Sequence, residues 1–134
     1  MNRLTSIAPD FARQTEHLSD AKLRLCAQNA CRASASAVEP TALQARVLAE
    51  FPREFASCSG LAEDLRVEAA RYDDIYFDKY EKDTSTGGEE FSRARRGTAL
   101  ADLLSASRKD LYDCIYEACM VVDDPAPVLR AALQ

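Results

Sequence analysis

Phe55, Cys58, Ala62, Leu65, Ala69, Tyr72, Tyr76 and Tyr80 recur at spacings of three and four over about seven helical turns. A side chain returns to the same side of a helix every three to four residues, so this run builds one long apolar face. The helix is expected to start at Arg53, Ser57 or Ser59 and to run to Asp83. Gly60 lowers local propensity without breaking the period, at a cost under about 1 kcal/mol. A helix this long has to bury its stripe against other elements, and the rest of the chain offers more helices.

Ala, Leu, Glu and Arg are frequent, whereas Val, Ile and Thr together supply only 15 residues, too few for a sizeable sheet. Leu4, Phe11, Leu18 and Leu25 repeat every seven residues and predict a first helix from Ile7 to Ala35, or two helices parted at Ser19–Asp20. A short second helix from Pro40 to Phe51 would turn Leu43, Val47, Leu48 and Phe51 inward, with Pro52 ending it. The polar, breaker-rich DTSTGG run at Asp83–Gly88 is a brief connection, so its flanking helices should lie antiparallel. A fourth helix is expected from Glu89 to Ala106. A fifth follows a capping-box pattern at Ser107–Asp110 and continues through Val122, and Pro127–Leu133 forms a short last helix. With 134 residues and no linker-like segment, the chain reads as a single all-α domain over residues 1–134. The expected architecture is a compact, mostly antiparallel bundle of about five helices with a short C-terminal helix.

The chemistry-bearing residues are sparse. His17 is the only histidine, which removes HExxH and Cys–Cys–His–His metal patterns. The cysteines at 26, 31, 58, 114 and 119 form no CxxC pair and read as small buried hydrophobes. Cys58, flanked by Ser57, Ser59 and Gly60, is the one with a less protected context. No cofactor and no metal are implied.

The segment RYDDIYFDKYEKD, Arg71–Asp83, is the least ordinary. Tyr72, Tyr76 and Tyr80 share one face, while Asp74, Asp78 and Glu81 lie along another, with Asp73 beside Phe77. Such tyrosines serve as a core seam, as anchors of a protein interface or as walls of a pocket. Arg93, Arg95 and Arg96 form a basic patch that an antiparallel hairpin would bring to the acidic helix, as ion pairs or as an anion site. On the fifth helix Tyr112 and Tyr116 share one face, and Asp113 and Glu117 share another. The aligned carboxylates suit an acid/base pair or a cation, or simply solvent.

The formal charge of −5 and the absence of an 18-residue apolar run favour a cytoplasmic protein that neither enters a membrane nor binds nucleic acid. The leading expectation is an interaction module, an adaptor or an immunity- or antitoxin-like inhibitor, whose Asp73–Asp83 face meets a protein with a basic surface. Self-association is compatible with it. The alternative is a ligand-binding or catalytic bundle with a pocket of Tyr72, Tyr76, Arg93, Arg96, Tyr112 and Glu117.

Overall fold

The computed structural model describes residues 3–35, 38–49, 59–82, 88–104, 107–122 and 124–134, with the side chains of 59, 81 and 82 excepted. Among the described residues there are eight helices, not about five. They are α1 (Arg3–Ile7), α2 (Pro9–Thr15), α3 (Asp20–Ser34), α4 (Ala42–Ala49), α5 (Ser59–Lys82), α6 (Gly88–Leu103), α7 (Arg108–Met120) and α8 (Ala126–Ala132). The all-α bundle stands; its subdivision does not. The expected positions of Phe51, Pro52, Phe55, Cys58 and the loop residues 83–87 lie outside the described residues.

Most of the difference comes from the first thirty-five residues, where three helices stand in place of the expected one, or two with the break at Ser19–Asp20. Ala8 leaves the helical region, at φ −147° and ψ 68°, and Pro9, which needs no N–H partner in a first turn, starts α2. The chain stops again after Thr15, and Ser19 caps α3 by accepting a hydrogen bond from the Lys22 N–H at 3.2 Å. This second break moves the apolar stripe. Leu4 and Phe11 are buried, but Leu25, the next member of the heptad after Leu18, is 53% exposed. Beyond the break Leu23, Ala27, Ala30 and Cys31 face the core instead. A seven-residue repeat keeps its face only while the helix is continuous.

α4 begins after a reciprocal cap. The Thr41 hydroxyl accepts from the Gln44 N–H at 3.1 Å, and the Thr41 N–H donates to the Gln44 side-chain oxygen at 3.4 Å. The same motif recurs in simpler form at α7, where Ser107 accepts from the Asp110 N–H at 3.1 Å. α8 opens on Pro125 and Ala126 and buries Val128 and Ala132 against α3.

α5 and α6 make the most extensive helix pair and run antiparallel. Arg66 meets Asp102, Asp73 meets Arg95, Tyr76 meets Phe91 and Lys79 meets Glu90, so numbers fall on α6 as they rise on α5. At the middle of the pair the backbones come close over Gly97. A Cβ there would stand 3.2 Å from the Ala69 Cβ and 3.4 Å from the Leu65 carbonyl oxygen. Gly97→Val should therefore lower the free energy of unfolding by about 2–3 kcal/mol, read from the shift in a urea midpoint, since a branched side chain has to push the helices apart.

On its other side α6 packs on α7, and α7 packs on α3, which carries α8. α1 and α2 lie beside each other, with α1 against α7. The core holds Leu100 and Leu103 of α6, Leu111 and Ile115 of α7, and Leu23 and Ala27 of α3. Among the described residues the helix with the long stripe is an outer one, packed along one face on its main partner, α6, and touched on its flank by the Thr41 hydroxyl, which donates to Glu68 at 2.6 Å. Among the described residues no helix is long and apolar enough to cross a membrane.

Candidate functional site

The residues singled out by the sequence fall into separate places. Tyr72 and Tyr76 are half-buried on the α6-facing side of α5. The Tyr76 ring lies 5.1 Å from Phe91, 5.3 Å from Phe77 and 5.8 Å from Tyr80, and the Arg93 guanidinium lies 5.9 Å from the Tyr72 ring. Tyr112 is buried and faces α2: its hydroxyl accepts from the Thr15 hydroxyl at 3.3 Å. Tyr116 sits under the Arg3 guanidinium, 4.4 Å from its ring centre. The tyrosines of α5 and α7 therefore form two clusters rather than one seam, because α6 lies between their helices.

Arg93, Arg95 and Arg96 share a stretch of sequence but not an environment. Arg93 reaches the Glu39 carbonyl at 3.4 Å and Glu89 at 3.5 Å. Arg96 is fully buried. Its Nη2 donates to the Ser34 carbonyl at 2.8 Å and its Nη1 to Gln44 Oε1 at 3.4 Å. Burial pushes its pKa down to about 10, so it stays charged at neutral pH. Its Nε has no hydrogen-bond partner among the described residues. Gln44, in turn, donates to the Arg93 carbonyl at 2.8 Å, so Arg96 and Gln44 together fasten α4 and the end of α3 to α6.

Arg95, outside the candidate set, organises the strongest charge cluster. Its Nη2 donates to Asp73 Oδ2 of α5 at 2.6 Å and its Nη1 to Glu117 Oε2 of α7 at 3.2 Å. Arg3 Nη2 donates to Glu117 Oε1 at 3.0 Å, and Arg3 Nε lies 3.8 Å from Asp113. The Glu117 side chain is 2% exposed, held between two guanidiniums. The shared face of Asp113 and Glu117 is thus turned to arginines. The four-helix tie among α1, α5, α6 and α7 is the ion-pair outcome of the basic patch. The sequence signal for it was the acidic Arg71–Asp83 run facing an arginine run across a short loop; Arg3, far off in sequence, carried none.

A second buried carboxylate, Asp102, accepts from Arg66 Nη2 at 3.0 Å. Burial pushes its pKa up to about 6; the Arg66 charge opposes that shift, and Asp110 and Asp113 add to it. Deeper still, Cys31 and Cys114 are fully buried with their sulfurs 3.5 Å apart. Burial drives the Cys114 thiol well above its ordinary range, which keeps its thiolate, and hence nucleophilic chemistry, out of reach at neutral pH. Among the described residues no three His, Cys, Asp or Glu side chains converge in a way that could hold a metal ion.

Tyr112 also lines a cleft of about 640 Å³ with Thr5, Pro9, Ala12, Arg13, Glu16 and Arg108. Arg108 is engaged there: it donates to Asp20 at 2.9 Å and to the Thr15 and Glu16 carbonyls, closing the end of α2. This cleft takes in none of Tyr72, Tyr76, Arg93, Arg96 or Glu117.

The outward face of α5 differs from all of these. Glu63, Asp64, Asp74 and Asp78 are exposed along it, with Arg71 the basic residue among them. Val67 is 62% exposed in the same stripe, and Phe77, at 59%, flanks it, with Ile75 also exposed. Compared with family models, with curated proteins and with solved structures, the chain matches none.

Proposed function

We propose that the chain is a protein-interaction module whose working surface is the outward face of α5, and that its partner presents a basic surface. The observation that carries this is Phe77, a large aromatic left open to solvent on a helix whose exposed side also carries four carboxylates. Exposed aromatic and aliphatic side chains surrounded by polar groups supply the anchors of an interface. The carboxylates give it a sign. They steer a basic partner, speed its encounter and repel acidic surfaces and nucleic acid. The face is rigid because the opposite side of α5 is packed on α6 and tied to it through Asp73–Arg95, Arg66–Asp102 and Lys79–Glu90. A rigid, pre-formed surface loses little entropy on docking. An adaptor, or an inhibitor that masks a basic site on another protein, would use it in this way.

A photo-cross-linking amino acid placed at position 77, and as a control at position 130 on α8, tests the reading in the native cell. A basic protein should be captured from position 77 and not from 130. Asp74→Lys combined with Asp78→Lys should reduce capture at least about tenfold, the equivalent of about 1.4 kcal/mol, with no change in thermal midpoint. Equal capture from both positions, or capture that survives the charge reversal, would overturn the proposal.

A further inference from the structure

Four arginines of this chain are held in the same way. Arg3 lies 4.4 Å from the Tyr116 ring centre and donates to Glu117 at 3.0 Å. Arg95 lies 5.5 Å from Phe91 and donates to Asp73 at 2.6 Å. Arg108 lies 5.6 Å from Tyr112 and donates to Asp20 at 2.9 Å. Arg93 lies 5.9 Å from Tyr72 and 3.5 Å from Glu89. Each guanidinium meets an aromatic ring and a carboxylate together. It can do both because its flat faces stack on a ring while its edge carries the N–H donors. Phe77 and Asp74 repeat that combination on α5, and among the described residues no arginine of the chain takes it. Asp74 is exposed one turn before Phe77, and Asp78, one turn beyond Asp74, adds a second exposed carboxylate. Phe77 is 59% exposed, yet its ring is held: it packs 5.3 Å from Tyr76, inclined at 60°, and Tyr76 packs on Phe91 of α6.

We infer that Phe77 and Asp74, with Asp78 beside them, seat an arginine side chain of the partner and select it over lysine. This rests on the basic-partner reading and narrows it. An acidic helix face alone attracts any cation, so the carboxylates account for the sign of the occupant and not for its kind. The exposed ring adds the kind. A guanidinium can lie on Phe77 and still direct its donors to Asp74, as Arg3 does with the neighbouring Tyr116 and Glu117. A lysine ammonium is a compact, strongly hydrated charge with no flat face to lay on the ring while it pairs with the carboxylate. Because Tyr76 already orders the ring, little freedom is lost when an arginine docks. The partner segment that fits this surface therefore bears arginine, and a lysine-bearing segment of equal charge binds it less tightly.

Two short blocked peptides of equal length, one alternating glycine with arginine and the other glycine with lysine, test this on the full chain by NMR titration of the backbone amides. The arginine peptide should bind about three- to tenfold more tightly and should shift the amides of Asp74–Asp78. Phe77→Leu changes an exposed side chain and should leave the thermal midpoint in place. It should bring the two affinities within about twofold by weakening the arginine peptide alone. Asp74→Asn should weaken both peptides, since both are cations. Equal affinities for the native chain, no shift of the α5 amides with either peptide, or a preference undiminished in Phe77→Leu would overturn the inference. Equal affinities together with capture of a basic protein from position 77 would reject the arginine seat and keep the basic partner. An arginine preference without that capture would keep the seat and reject the partner reading.

Discussion

Replacing Glu117 with Ala should lower the free energy of unfolding by about 3–5 kcal/mol, a large share of the roughly 5–15 kcal/mol that holds a domain folded. Glu117 is all but fully buried, and both of its oxygens are used, one by Arg3 and one by Arg95. Removing it leaves Arg95 partly buried with only Asp73 to balance it, and the Arg95 Nε already has no hydrogen-bond partner among the described residues. The penalty comes from the stranded charge more than from the lost attraction. Arg3→Ala makes the contrast. Its side chain is half exposed, water can replace its bonds, and the loss should stay near 1 kcal/mol. Urea denaturation of the two variants and of the double variant measures the coupling between them. Equal losses in the two single variants would show that Arg95 does not depend on Glu117 in the way this geometry requires.

The second large effect concerns Asp102 and pH. Its folded-state pKa of about 6 stands above the ordinary aspartate value, so the folded protein holds a proton that the unfolded chain releases. The resulting stabilisation is fully present below about pH 4 and is lost as pH rises through 6. At pH 7 the native chain carries a buried carboxylate that, among the described residues, Arg66, itself half exposed, compensates by a direct bond. Asp102→Asn keeps the shape without the charge. It should unfold at higher urea than the native chain at pH 7, by up to about 3 kcal/mol, and the difference should vanish towards pH 4. Measuring the difference between the two proteins at each pH removes the contribution of the other carboxylates. A difference that does not change between pH 4 and 7 would assign Asp102 an ordinary pKa.

Much of the fold was legible because helix formation and apolar periodicity are local. The stripe through Leu65, Ala69, Tyr72 and Tyr76 placed α5, and Leu65 and Ala69 are buried as their spacing requires. The brief loop placed α6 antiparallel to it, and the Ser107–Asp110 pattern marked the start of α7. In the first region the break at Ser19–Asp20 was one of two expected outcomes and is present, whereas the break at Ala8 was not expected; a heptad keeps its face only while the backbone stays helical. Leu25 fits the pattern of Leu4, Phe11 and Leu18, yet the turn after Thr15 leaves it 53% exposed while Leu18 still packs partly on the core. The candidate site was legible in part. The tyrosine–aspartate segment was visible, but no pattern along the chain told Asp73, turned to Arg95, from Asp74, turned to solvent.

By itself, then, the sequence determined that this protein is helical, where its long amphipathic helix lies, and that this helix has one apolar and one acidic face. Those properties follow from spacing and propensity within a few turns. Only the tertiary structure decided that α5 is an outer helix with Phe77 open to solvent, and that Arg93, Arg95 and Arg96 have three different fates. It also brought Arg3 to a carboxylate more than a hundred residues away and left Leu25 uncovered. These outcomes depend on which helices meet and at what rotation. That choice is made by packing the whole core at once, where burying one side chain fixes the exposure of its neighbours.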